Sequence, residues 1–171
     1  MASVIPAGAA KRLVIGITGH IAAKCEIRYR GAAAVSFGDV LDQRTGRATA
    51  ASLNLPFHLM CNAPYTAVLS SKNGGLAFDG LPAEGFSSLI GYRAEIGLAR
   101  NAGGLSLNCA SDAMRAAGDI YRSKSSCAAT SRGGDFNSGD GSVQLTLAGT
   151  GQPLLKGIYT DELVLTVSPD L

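Results

Sequence analysis

The stretch that decides the fold is residues 13–29, which read LVIGITGHIAAKCEIRY. Its odd-numbered positions are all apolar or small, whereas its even-numbered positions become increasingly polar. A period of two is typical of a half-buried β-strand, not of a helix. The stretch would span about 55 Å at about 3.3 Å per residue, far more than an ordinary strand of about five or six residues. Either a bend near Gly19 divides it, or its first half packs against something other than its own domain.

The same alternation recurs downstream, in residues 53–61, 65–69, 90–98, 143–147 and 163–167. Residues 71–75 and 101–104 are rich in Asn and Gly, which predicts hairpin turns. Seven or eight such strands with short turns predict an all-β chain folded as an antiparallel β-sandwich.

Two segments depart from the alternation. Residues 112–117 predict one short helix, capped by Ser111 and ended by Gly118. Residues 123–141 are rich in Ser and Gly, which predicts a long surface loop.

The composition excludes several classes of protein. Of the 171 residues, 46% are hydrophobic and only 16% charged, which rules out intrinsic disorder. The net charge is +2 and no basic run is present, so no nucleic-acid partner is expected. Because no apolar stretch reaches the length of a spanning helix, no membrane insertion is expected either.

The chain has four cysteines, Cys25, Cys61, Cys109 and Cys127, and none of them forms a C-x-x-C pair. The two histidines have no ligand spacing, so no metal is expected. Two disulfides in an oxidising compartment are predicted, with four free buried thiols as the alternative. Cys25 and Cys61 share the inward parity and can meet if their strands are neighbours or face each other. Cys109 and Cys127 bracket the predicted helix, and the other pairings remain open.

The sequence offers little catalytic chemistry. Ser70 and Ser71 lack the G-x-S-x-G context of a hydrolase nucleophile. The acidic residues are dispersed, and no strand, Gly-rich loop and helix unit is present to hold a phosphate. We therefore expect no enzymatic activity and no cofactor. Asp161 shares the parity of Tyr159 and Leu163, which predicts a partly buried, hydrogen-bonded acid with a structural role.

The last strand predicts an unusual mode of assembly. The sequence ends four residues after Val167, and no later segment supplies that apolar strand with the neighbour that an immunoglobulin-like sandwich needs. An exposed apolar edge is a liability unless something covers it. The economical solution is that the surplus N-terminal strand of one copy fills the gap of the next by β-strand addition. Such a head-to-tail contact need not close and would build fibres.

Four segments carry a family resemblance: residues 25–27 (CEI), 35–39 (VSFGD), 59–65 (LMCNAPY) and 157–167 (GIYTDELVLTV). In this order they resemble the spore coat protein U domain family, the subunits of archaic chaperone–usher pili. The resemblance covers nearly the whole chain.

The resemblance implies an incomplete immunoglobulin-like sandwich that is completed by a donor strand from a neighbouring subunit. It also implies a Cys25–Cys61 bridge, a periplasmic chaperone, an outer-membrane usher, and identical or homologous pilin subunits as partners. The expected location is the cell surface, in an adhesive or biofilm-forming pilus. The chain is then a secreted form from which the export signal has been removed.

Two regions follow from this interpretation: residues 1–18 are expected to be the donor-strand extension, and residues 19–171 the pilin domain. The donor side chains are expected to be Leu13, Ile15 and Ile17. The edge of the acceptor groove is expected at Leu163, Leu165 and Val167. Ile21 and Ala23 are assigned to the domain's own first strand.

A second interpretation comes from a different class: a secreted monomeric β-sandwich that binds carbohydrate or another surface. The chain has no Trp, and its Tyr and Phe residues fall mostly on inward parities or in turns, which weakens this alternative. A structural protein of the envelope or spore coat is a further alternative.

Overall fold

The protein is all-β in the computed structural model, which describes residues 16–32, 34–99, 104–116, 126–131 and 136–170. No helix occurs among these residues. The strands are β1 (Cys25–Tyr29), β2 (Leu41–Asp42), β3 (Arg47–Ala48), β4 (Ser52–Cys61), β5 (Tyr65–Ser71), β6 (Leu76–Phe78), β7 (Leu89–Ile90), β8 (Tyr92–Leu98), β9 (Ser106–Ala110), β10 (Ala128–Thr130), β11 (Asn137–Leu147), β12 (Tyr159–Thr160) and β13 (Leu163–Pro169).

Two antiparallel sheets hold the core between them. The main sheet has the order β1-β4-β11-β8-β9, and the second sheet has the order β10-β5-β13. Alternating side chains of both sheets form one buried cluster, which includes Leu59, Leu69, Ile96 and Leu145. The arrangement is consistent with a β-sandwich, and it confirms the all-β prediction.

The two ends of this sandwich differ. Strand β5 ends and strands β8 and β13 begin at one end, which is covered by a small sheet of order β12-β6-β7. We call this the cap end. At the opposite end β1 begins and β4 finishes, because Cys25 is the register partner of Cys61. We call this the disulfide end.

Two disulfides are present, as expected. Cys25 is bonded to Cys61, with Cα atoms 4.1 Å apart, and ties β1 to the neighbouring strand β4. Cys109 is bonded to Cys127 and ties β9 of the main sheet to the residue before β10 of the second sheet. Two disulfides suggest an oxidising, extracytoplasmic location. The described residues contain no helix that could cross a membrane.

The predicted helix at residues 112–117 is wrong. Residues 111–114 form a turn, and the Ser111 hydroxyl accepts a hydrogen bond from the backbone N–H of Tyr92 at 3.1 Å. The Ser71 backbone then bonds both to Met114 and to Ala116, which draws the chain alongside β5. Ala117 and Gly118 lie outside the described residues.

The predicted surface loop at residues 123–141 is also wrong in part, because it contains β10 and the first half of β11. At Gly141 the glycine reflects close packing within a sheet, not a turn. A Cβ on Gly141 would lie 2.5 Å from Leu98 Cδ2 and 2.8 Å from Phe57 Cζ. Glycine in a strand can mark such a close approach.

Within the described part of the long alternating stretch, residues 16–29, only Cys25–Tyr29 form a strand, and residues 16–24 belong to no sheet. The assignment of Ile21 and Ala23 to the first strand is therefore wrong. The hairpin predicted at residues 71–75 is wrong as well, because β5 and β6 lie in different sheets. The second predicted hairpin is confirmed, since β8 pairs with β9.

Candidate interaction groove

Two neighbouring strands each keep one edge without a partner among the described residues. Strand β1 pairs only with β4, and β13 pairs only with β5. Across the sandwich, β1 and β13 approach each other to within 8 Å between Cα atoms, yet they share no ladder. One side of the sandwich is therefore a seam between two free strand edges.

The side chains of β1 face the core but are not covered by it. Ile27 is the register partner of Leu59, and Tyr29 is the partner of Phe57. Directly opposed residues point to the same face of a sheet, and Leu59 and Phe57 are buried. Nevertheless Ile27 is 37% exposed and Tyr29 is 43% exposed.

Strand β13 shows the same feature from the other sheet. Leu165 and Val167 lie opposite Leu69 and Ala67, which are fully buried. Leu163, Leu165 and Val167 pack against the core but stay only half-buried. The structure thus places all three residues of the expected acceptor edge on β13, the strand with one unpaired edge.

We call the apolar surface along β1 and β13 the groove; it is formed by Ile27, Tyr29, Leu163, Leu165 and Val167.

The opposite side of the sandwich is closed differently. There β9 and β10 come together, and the Cys109–Cys127 bond joins the two sheets. Leu107 and Cys127 are buried at this side. Strands β9 and β10 also share no ladder among the described residues, but on this side a disulfide bridges the two sheets.

The residues before β1 form an exposed apolar segment. Ile17 is 91% exposed and Ile21 is 86% exposed. Leu13 and Ile15, the other two expected donor residues, lie outside the described residues.

Asn62 fixes the point at which this segment leaves the domain. Its side-chain oxygen accepts the Lys24 N–H at 2.6 Å, and its side-chain nitrogen donates to the Ala22 carbonyl at 2.9 Å. The Asn62 backbone N–H also donates to the Lys24 carbonyl at 3.1 Å. These bonds hold Ala22 and Lys24 but do not reach back to Ile21. The alternating stretch therefore does not enter the sheet as one continuous strand.

Asp161 organises the cap end. Its Oδ2 atom accepts hydrogen bonds from the Ser71 hydroxyl at 2.5 Å and from the Tyr92 hydroxyl at 2.7 Å. Its Oδ1 atom accepts the backbone N–H groups of Asn73 at 3.0 Å and Glu162 at 2.9 Å. Burial raises the pKa of Tyr92, and the bond to Asp161 raises it further. The expected structural, hydrogen-bonded acid is confirmed.

Asp161 also explains why residues 71–75 do not make a hairpin. The carboxylate holds the N–H of Asn73, and the Ser71 hydroxyl accepts the N–H of Gly74 at 2.8 Å. Gly74 adopts a φ of 75°, which favours glycine. The chain is thereby turned out of the second sheet into the cap.

Two more residues of the same terminal segment support the cap. The ring of Tyr159 packs on that of Phe78, with centroids 5.1 Å apart. A Cβ on Gly157 would lie 2.3 Å from Phe78 Cε2, so only glycine fits beneath that ring. The Tyr159 hydroxyl lies 3.2 Å from the carbonyl oxygens of Ser87 and Leu155. The terminal segment thus positions the start of β13.

One polar cluster escaped the sequence analysis. On the outward face of the main sheet, His58 Nδ1 lies 2.9 Å from Asp140 Oδ1, and His58 Nε2 lies 3.3 Å from the Ser138 hydroxyl. His58 and Asp140 are cross-strand partners because β11 begins at Asn137. The sequence predicted a loop at Asp140 and so gave no sign of this pair. The cluster lies on a flat sheet surface, and the strand pairing accounts for it. The described residues contain no group of three His, Cys, Asp or Glu that could hold a metal ion.

Comparison of the chain with protein-family models, with curated proteins and with solved structures finds no match.

Proposed function

We propose that this protein is a structural subunit that polymerises by donor-strand exchange into an extracellular adhesive or biofilm fibre. In this proposal, residues 1–18 of one copy fill the β1/β13 groove of the next copy. The observation that carries the proposal is the pair of free edges that flank core-facing, exposed side chains such as Ile27 and Tyr29.

The groove and the N-terminal extension are complementary in chemistry. A strand that enters the groove can pair its backbone with the free edges, and its alternate side chains can cover the half-buried ones. Leu13, Ile15 and Ile17 alternate, so they share one face of an extended strand. Burial of each aliphatic side chain contributes about 1.5–3 kcal/mol, before the entropy of ordering is subtracted.

Insertion requires a movement of the seam. Neighbouring strands in a sheet lie about 4.8 Å apart, so a strand paired on both sides needs β1 and β13 about 10 Å apart. Their present approach, within 8 Å, means that the seam widens as the donor enters. The proposal therefore predicts slow exchange, because the core is repacked in the same step.

The same reasoning supports the proposed partners. A monomer with this groove exposes an apolar edge, which favours aggregation. We therefore propose a periplasmic chaperone that covers the groove before assembly, and an outer-membrane usher at which copies exchange it for the next subunit's extension. This mode of assembly is compatible both with a subunit of a pilus shaft and with a structural component of the envelope or spore coat.

The test is gel electrophoresis of purified protein in SDS, with unheated and boiled samples compared. We expect a ladder of multimers that collapses on boiling to the 17.4 kDa monomer. Monomer alone in the unheated lane, from a protein that folds without a partner, would support the self-contained binding module instead.

Matched variants sharpen the test. The double change Ile15→Asp and Ile17→Asp places two carboxylates on the apolar face of the donor, and we expect it to abolish the ladder. The control Val14→Asp and Thr18→Asp adds the same charge at the opposite parity and should leave the ladder intact. Equal behaviour of the two variants would contradict the donor assignment.

A further inference from the structure

An exposed apolar surface marks the cap end. Leu81 is 89% exposed and Ile158 is 63% exposed, and Phe86, in the same loop as Leu81, is exposed as well. The Asp79 N–H donates to the Ile158 carbonyl at 3.0 Å, and Asp79 Oδ1 accepts the Ile158 N–H at 3.3 Å. These bonds bring the 79–88 loop against the segment before β12. We call Leu81, Phe86 and Ile158 the knob.

An open depression marks the disulfide end. It is lined by Lys24, Glu26, Met60, Asn62 and Phe136. Phe136 is 64% exposed although it directly precedes β11. The depression therefore offers an apolar floor at the place where residues 16–24 leave the domain.

The extension links these two surfaces in a fibre. Cys25 lies eight residues after Ile17, so the two are at most about 29 Å apart. The disulfide end of the donating copy must therefore lie close to one end of the acceptor's groove. At the acceptor's disulfide end, its own residues 22–24 are bound to Asn62, so the acceptor's own extension already occupies this end. The donating copy is thus directed to the cap end.

We infer that successive copies make a second contact, in which the knob of the acceptor lies in the Phe136 depression of the donating copy. This inference rests on the proposed function. The partner of both surfaces is a second copy of this chain. In this arrangement the donor strand runs antiparallel to β13.

Charge supports the same pairing. The knob loop carries two carboxylates, Asp79 and Glu84, and the neighbouring segment one ammonium, Lys156. On the rim of the depression the Glu26 carboxylate is bound to Arg28 at 2.7 Å, so Lys24 adds positive charge there. Opposite signs across a contact favour one relative orientation over others.

The experiment is photo-crosslinking in assembled fibres of the full chain. p-Benzoyl-phenylalanine replaces Phe136, and the control places it at Gln144, an exposed position on the outward face of the main sheet. After irradiation and digestion, we expect Phe136 to give crosslinks to residues 79–88 or 153–158 of a neighbouring copy. The Gln144 control should give none of these.

A charge exchange adds a second measurement. Lys24→Glu should lower the yield of this crosslink about tenfold, and adding Glu84→Lys should restore it. An intact SDS ladder without these crosslinks, or with Phe136 crosslinks elsewhere, would overturn the end-to-end contact while leaving donor-strand exchange in place. Absence of the ladder from the unmodified chain would overturn both.

Discussion

Asp161 shows how one side chain connects three parts of the molecule. Its carboxylate joins the end of β5, the following bend and the start of β8 through three hydrogen bonds, and it accepts a fourth from the N–H of the adjacent Glu162. Charge-assisted bonds of this kind contribute more than neutral ones. These contacts show what the aspartate of the terminal motif holds together.

We expect Asp161→Ala to lower the free energy of unfolding by about 3 kcal/mol, since it leaves the Ser71 and Tyr92 hydroxyls without their acceptor. Tyr92→Phe removes one of these bonds and should cost about 1–1.5 kcal/mol. The control is Glu95→Ala, an exposed acid on β8, which should stay within about 0.5 kcal/mol. Denaturant titration measures all three, and equal effects of the two acid variants would refute this role.

Two buried tyrosines predict an alkaline limit of stability. Burial raises the pKa of Tyr65 to about 12, and it raises that of Tyr92 as well. A phenol whose pKa is higher in the folded state than in the unfolded state stabilises the fold fully below pH 10. That contribution is lost as the pH rises through the folded value. We therefore expect the free energy of unfolding to fall between about pH 10 and 12.

The measurement is tyrosine absorbance at 295 nm during a pH titration, with circular dichroism in parallel. Tyr65 and Tyr92 should ionise only as the fold is lost. The Tyr92→Phe variant should flatten the alkaline decline relative to its own stability at pH 7. Ionisation of all five near pH 10 in the folded protein would contradict the prediction.

At the scale of elements, the alternating pattern predicted much of the main framework. The apolar runs at 53–61, 65–69 and 163–167 each lie in one strand, because a period of two reports directly on a half-buried sheet. The run at 90–98 is divided at Gly91 between β7 of the cap sheet and β8 of the main sheet. The Cys25–Cys61 bond joins the paired strands β1 and β4, and the Cys109–Cys127 bond joins β9 to the residue before β10. Alternation also identified one apolar edge, formed by Leu163, Leu165 and Val167, before any pairing was known, whereas the β1 edge emerged only from the structure.

What the sequence did not reveal depends on contacts between distant residues. The first half of β11 reads as a loop because Gly139 and Gly141 carry no side chain. The reason for the glycine at 141 lies in Phe57 on β4 and Leu98 on β8. A turn forms at Ser111 instead of a helix because the Ser111 hydroxyl bonds to Tyr92 and the backbone of Met114 and Ala116 bonds to Ser71. Which strands share a sheet, as at β5 and β6, is likewise decided by the Asp161 contacts.

The glycine of β11 gives a matched test. We expect Gly141→Ala to cost about 1–3 kcal/mol in unfolding free energy, because its Cβ would overlap Leu98, Phe57 and the Gly97 carbonyl. The control is Gly97→Ala on the paired strand, where nothing lies within 4 Å of the added Cβ. That change should be neutral or stabilising by up to about 1 kcal/mol. Thermal unfolding compares them, and a neutral Gly141→Ala would show that β11 packs differently.

At the scale of the whole molecule, the proposal predicts that the groove accepts a strand supplied separately. The recipient is the full chain carrying Ile15→Asp and Ile17→Asp, and the ligand is a synthetic peptide of residues 9–19. At about 100 times its dissociation constant, the peptide should stabilise the recipient by about 2.7 kcal/mol. The same peptide with Asp at positions 15 and 17 is the control.

Thermal unfolding with and without each peptide measures the effect. A higher melting temperature with the first peptide only would support occupancy of the groove by the apolar face of the extension. An equal shift with both peptides, or none with either, would argue that the groove takes no strand from residues 9–19.

The Cys25–Cys61 bond sits where the extension joins the domain, and this has a consequence under tension. Without that bond, a pull on residues 16–24 would act first on the ladder of β1, a short edge strand that can be peeled away one hydrogen bond at a time. The covalent link instead passes the force at its entry point to β4, which is held in the main sheet by β11 along nearly its whole length. The strand most easily unzipped is thereby shielded from the pull, and the force reaches the domain through its best-anchored strand.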